Sequence, residues 1–167
     1  MSMYDDFETS PELEAAGVWL DRAEYRIQIA HAGGTNSEFV KAFERATKPH
    51  RNAMSRGKMN EAVAEKILIE CYAKHVIKDW NVLLVERDKD GQAILDERKK
   101  TKPVFDKDGN LQWQRGIHAR DGTVLKYSVD TVSVVLKNLP KLFSEIRNIA
   151  EEYSNYLESV REEDSKN

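Results

Sequence analysis

The sequence predicts a mainly α fold of the α+β kind: a helical body with an N-terminal β-hairpin, a β-hairpin insertion in the middle and a long C-terminal helix. Three observations lead there. Apolar residues recur every three to four positions across much of residues 35–80 and 128–163, the spacing of a helix with one buried side. From Tyr25 to Ala30 they alternate instead, as in a half-buried strand. From Asn81 to Tyr127 the chain breaks into short apolar runs separated by Asp-Gly pairs. A length of 167 residues suits one domain, 1–167, with a core of its own.

Residues 1–16 form an acidic arm interrupted by Pro11. Residues 17–34 form the hairpin, with Gly17-Val-Trp-Leu-Asp as one strand and Glu24-Tyr-Arg-Ile-Gln-Ile-Ala as the other, ended by Gly33-Gly34. Residues 35–80 are helical. Thr35, Asn36 or Ser37 can cap the first helix, along which Phe39, Val40, Phe43 and Ala46 make an apolar stripe. Pro49 interrupts it, and Gly57 closes a short helix after it. Asn60 then caps a helix running to about Trp80, with Val63, Ala64, Ile67, Leu68, Cys71, Tyr72, Ile77 and Trp80 on its buried side.

Residues 81–127 are the β-rich insertion. Asp88-Lys-Asp-Gly91 and Asp106-Lys-Asp-Gly109 are turns, as is Arg120-Asp-Gly122, and Glu97 to Lys102 between the first two is a charged loop. Being polar and turn-rich, this region is expected to be the most mobile part of the chain. Residues 128–163 are helical: Ser128 caps the first helix, and Pro140 opens a final one to about Glu163 whose end projects beyond the body.

Composition narrows the function. Hydrophobic residues at 40% and charged residues at 33% fit a soluble globular chain, and no apolar run approaches the roughly 20 residues of a membrane helix. The N-terminus has neither the basic nor the apolar region of a secretory signal, so no membrane partner is expected. One cysteine, Cys71, excludes an intrachain disulfide and fits a reducing cytosol. Net charge is −3, but it is segregated. Residues 1–14 carry five acids and no base, and residues 41–58 carry six Lys/Arg against one Glu. Such segregation suits matching between protein chains, including copies of this one. It also describes two solvated helix faces.

No catalytic, cofactor or metal signal stands out, and the chain is not expected to be an enzyme. Cys71 and His75 share a helix face, but two ligands do not make a zinc site and Cys71 falls on the apolar stripe. The Asp-Lys-Asp-Gly runs place glycine fourth, whereas a calcium loop needs it sixth, so they are read as turns. Gly33-Gly34 lacks the Gly-Lys-Ser/Thr ending of a phosphate loop. The basic segment 41–58, with Lys41, Arg45 and Arg51, is the one nucleic-acid footprint; an overall negative charge and the lack of interleaved aromatics argue against that partner.

Two stretches together resemble a known family. The first holds Gly17-Val-Trp-Leu, Ile27-Gln-Ile-Ala-His-Ala-Gly-Gly, Phe39-Val-Lys-Ala, Lys48-Pro-His-Arg and Ala73-Lys-His-Val-Ile-Lys-Asp-Trp80. The second holds Tyr127-Ser-Val-Asp and Val134-Val-Leu-Lys-Asn-Leu-Pro-Lys-Leu-Phe-Ser-Glu-Ile. In this order, over about residues 17–85 and 123–157, they resemble the tail assembly chaperones of long-tailed (siphovirus-like) bacteriophages; the segment 87–122 is longer than the family's turn there. The resemblance implies a chaperone that keeps the tape measure protein soluble, helps recruit tail tube protein and is absent from the mature virion. It implies the cytoplasm of the infected bacterial host, and often a second, longer product made by programmed frameshift, with which the ending Ser165-Lys166-Asn167 is compatible. The alternatives are a DNA-binding regulator using 41–58 and a minor structural tail protein. For partner binding and self-association the candidate residues are Tyr153, Tyr156, Leu157 and Val160, exposed on a projecting helix, together with Lys41, Arg45 and Arg51.

Overall fold

A computed structural model describes residues 2–166; Met1, and Asn167 of the Ser-Lys-Asn ending, lie outside the described residues. The acidic arm folds into two short helices, α1 (Met3–Phe7) and α2 (Pro11–Ala16), the latter capped by Ser10, whose Oγ accepts from Leu13 N. The predicted hairpin follows as β1 (Val18–Asp21) and β2 (Tyr25–Ile29), paired antiparallel with Val18 opposite Ile29. Its alternation is real: Ile27 and Ile29 are fully buried, while Arg26 on the other face lies between the rings of Trp19 and Trp113.

Asn36 caps α3 (Ser37–Thr47), and its amide also donates to the carbonyls of His31 and His75, tying the end of the hairpin unit to the next helical layer. A 3₁₀ turn at Lys48–His50 and the short α4 (Arg51–Ser55) lead to α5 (Glu61–His75). Here the structure corrects the sequence reading. The helix stops at His75, and Ile77 and Trp80 belong to β3 (Ile77–Leu83), where Trp80 faces Ile27 of β2. Val76 and Ile77 are β-branched and favour a strand, but an Ile and a Trp three apart fit a helical stripe equally well. The stripe is also shorter than expected. Ile69, Cys71, Tyr72 and Ala73 are buried, whereas Val63 is exposed because the first turns of α5 extend past the core.

The insertion begins after β3 with a layer of backbone bonds not visible in the sequence. Four loops share one hairpin geometry, in which the first residue's N–H donates to the fifth residue's carbonyl and the fourth residue's N–H donates back. They start at Asp88, Asp96, Asp106 and Ala119, and the fourth residue has positive φ in each: Gly91, Lys99, Gly109 and Gly122. The supposed charged loop is thus a turn with lysine in the glycine position. Between the turns the strands close two rings of three bonds. Leu84 donates to Gln112, Gln112 to Val104 and Val104 to Leu84; Glu86 donates to Lys102, Lys102 to Ile94 and Ile94 to Glu86.

The chain then returns as β4 (Trp113–Arg115), which completes a four-stranded sheet in the order β1-β2-β3-β4, and as a two-stranded ribbon of β5 (Ile117–His118) and β6 (Val124–Leu125). Helices α6 (Val129–Asn138) and α7 (Pro140–Glu151) follow. The core runs between the inner sheet face and the helices, with Phe39, Tyr72 and Phe143 packed edge to face at 5.4 and 5.3 Å between ring centres. The architecture is α+β, as predicted.

The long C-terminal helix is not formed. Helix α7 ends at Glu151, Tyr153–Tyr156 make a 3₁₀ turn, and α8 (Glu158–Lys166) is separate. The Asn155 side chain donates to the Ile149 carbonyl, the Glu152 carboxylate accepts from Ser154 N, and Tyr156 swings into the core, its hydroxyl donating to the Ile29 carbonyl at 3.0 Å. The C-terminal segment thereby meets the arm. Ser10 N donates to the Tyr156 carbonyl, Glu158 N donates to the Glu8 carbonyl, and Arg161 pairs with Glu12.

Candidate protein-binding groove

The break between α6 and α7 follows from Pro140. It has no N–H to continue α6, but its fixed φ opens α7. Leu139 at the corner takes a non-helical conformation and stands 51% exposed. Opposite this corner lies the end of the sheet. Gly116 makes that approach possible: its N–H donates to the Trp80 carbonyl, and a Cβ there would come within 2.5 Å of Val124 and 2.9 Å of the Leu125 carbonyl. Ile117 is therefore set beside Trp80.

Between corner and sheet lies an open groove of about 490 Å³. Trp80, Ile117, Tyr25 and Val135 supply apolar floor and wall, and Asn138, Leu139, Lys141 and Leu142 form one rim. His118 is neutral near pH 7, because burial, with Arg87 nearby, lowers its affinity for a proton more than Glu24 raises it. The lining is thus apolar, with Lys141 as its charged rim residue. A cleft of this volume and chemistry accepts an apolar side chain cluster from one face of a partner helix.

The residues singled out from the sequence lie elsewhere. Tyr156 is fully buried and cannot meet a partner, and Leu157 and Val160 are half-buried, Leu157 bridging to Thr9 of the arm. Tyr153 is exposed and stacks on Phe7 with ring centres 6.3 Å apart. Lys41, Arg45 and Arg51 are exposed on α3 and at the start of α4, and none has an ion-pair partner among the described residues. Among the described residues no hydrogen bond or ion pair joins these cations to the 153–160 segment. The sequence reading did not assign the groove, although the second stretch of the family resemblance contains Asn138-Leu-Pro-Lys-Leu, now seen as the rim.

A second convergence holds the arm. The carboxylate of Glu14, 1% exposed, accepts from the N and Oγ1 of Thr35 at 2.5 Å each and lies 4.0 Å from Nδ1 of His31. Burial alone would raise its pKa; the hydrogen bonds from Thr35 and Thr9, with His31 beside them, outweigh that and hold it below the ordinary value. This is a structural pin. Among the described residues no group of three or more His, Cys, Asp or Glu could hold a metal, and no helix is long and apolar enough to cross a membrane.

Residues 34–95 match the model of a family described as YdaY prophage protein. The match indicates phage origin. It covers α3 to β3 and the first turn of the insertion, less than half of the chain, and leaves out the α6–α7 corner. No curated protein and no solved structure matches.

Proposed function

We propose that this chain is a phage tail assembly chaperone that holds a helical stretch of the tape measure protein in the α6–α7 groove. It keeps that protein soluble in the host cytoplasm, helps recruit tail tube subunits and is absent from the mature virion. The observation that carries the reading is the coincidence at the corner: Asn138 to Leu142, part of the second stretch that carries the family resemblance, is the rim of an open apolar groove. Phage origin supports it, and the reading needs neither a catalytic group nor a cofactor.

The test is co-expression with the tape measure protein of the same phage or prophage. Leu139→Glu places a charge on the rim at an exposed position, so the chaperone itself should fold normally while the soluble yield of tape measure falls several-fold. Unchanged solubility would remove the groove from the mechanism, and stoichiometric recovery of the chain from purified particles would make it a structural tail protein. A second reading, DNA binding, is favoured by the unpaired Lys41, Arg45 and Arg51. It requires duplex binding that weakens steeply with salt, and a gel shift at moderate salt tests it.

A further inference from the structure

The arm shows an apolar face that its own chain leaves uncovered. Met3, Tyr4 and Phe7 project from one side of α1 at 77%, 69% and 66% exposure, and Tyr153 extends the patch through its stack on Phe7. Glu8 lines the same shallow depression as these three. Glu12 is paired with Arg161 and Asp5 closes a capping box with Ser2, but Asp6 and Glu8 have no ion-pair partner among the described residues. The arm is also pre-shaped, since the pairing of Glu8 and Ser10 with the C-terminal segment fixes it in place. A surface ordered in advance loses little entropy on docking.

The complementary surface is on the same molecule. Lys41, Arg45 and Lys48 follow one face of α3 and its end at helical spacing, Arg51 begins α4, and the exposed Val40 and Met54 lie among these cations. No ion pair joins this face to the arm among the described residues.

From this geometry we infer that a second copy of the chain is the partner of the arm: the acidic, aromatic arm of one copy docks on the basic α3–α4 face of the next, head to tail. In this one-way contact each copy keeps one surface of each kind free, so it builds rings or filaments. The arm brings only a few side chains to the contact, whereas a stable complex uses roughly 20–30 residues a side. Association is therefore weak, concentration-dependent and sensitive to salt. The contact leaves the α6–α7 groove free, and it stands whether or not the groove holds a tape measure protein.

Sedimentation velocity of the full chain tests this. The wild type should grow in mass with concentration at low salt and return to monomer at high salt. Asp6→Lys with Glu8→Lys, and separately Lys41→Glu with Arg45→Glu, should each weaken self-association about tenfold or more. An equimolar mixture of the two variants should grow as an alternating polymer, because each reversed surface meets its complement on the other variant, and all four substitutions in one chain should likewise restore growth. Tyr4→Ser, which changes no charge, should also weaken it. A wild type that stays monomeric at every concentration overturns the proposal, as does a mixture that associates no better than either variant alone. Loss of duplex binding without loss of self-association in Lys41→Glu with Arg45→Glu would instead assign the basic face to nucleic acid. The Leu139→Glu variant should self-associate normally, which separates this contact from the cargo reading.

Discussion

Tyr153 and Tyr156, three residues apart, have opposite surroundings. Tyr156→Ala empties a fully enclosed site and leaves the Ile29 carbonyl without its donor, so a loss of about 3–5 kcal/mol is expected in urea unfolding. Tyr153→Ala should cost less than about 1 kcal/mol, because its ring is 43% exposed and meets Phe7 on one side. Lys99 offers the converse experiment. It is the one non-glycine with positive φ among the described residues, in a turn whose three counterparts carry glycine, and Lys99→Gly should stabilise the chain by about 1 kcal/mol. Glu14 predicts the response to acid. Its folded pKa lies below the ordinary glutamate value, so its contribution is present above that value and is lost as pH falls through the folded pKa. His118 and His75, lowered chiefly by burial, act earlier: below about pH 6.5 the unfolded chain takes up protons more readily, and stability starts to fall. Thermal melts from pH 7 to 4 should decline in these two steps, and Glu14→Gln should remove the lower one.

At the level of elements, the rings of backbone bonds change what to expect of the insertion. Its side chains are polar and the sequence predicts mobility, yet the amides of Leu84, Glu86, Ile94, Lys102, Val104 and Gln112 each have a partner in a closed ring. Hydrogen exchange should find these six protected while the tips at Lys89, Glu97 and Lys107 exchange freely. If all exchange alike, the rings are open in solution. The elements that could be read from the sequence were those with a local cause: alternation in β2, the caps at Asn36, Asn60 and Ser128, Pro140, and the Asp-Gly turns. Those missed have a distant cause. Lys99 adopts its turn because neighbouring strands demand it, not because lysine favours positive φ. Trp80 is a strand residue because Ile27 pairs with it. Helix α7 ends without proline or glycine because Tyr156 finds Ile29, and a period of three and four residues continues straight through that break.

At the scale of the molecule, the groove escaped a reading that looked for function on a projecting helix. Its parts, Tyr25, Trp80, Ile117 and Leu139, lie far apart in the chain and carry no shared motif. The arm was legible as acidic, but its clasp was not, since pairing Thr9 with Leu157 leaves no local trace. That clasp sets an order of events. It closes a loop of nearly the whole chain, so its entropic cost is met after the more local sheet and helix contacts have formed. A nascent chain on the ribosome has made its arm and its basic face long before Tyr156 and Leu157 exist. Until then the arm has nothing to fix it, and copies still being synthesised on one message have no shaped surface with which to capture one another. Under the proposed head-to-tail contact, the tie between Thr9 and Leu157 acts as a proofreading step, admitting only chains already made through Leu157.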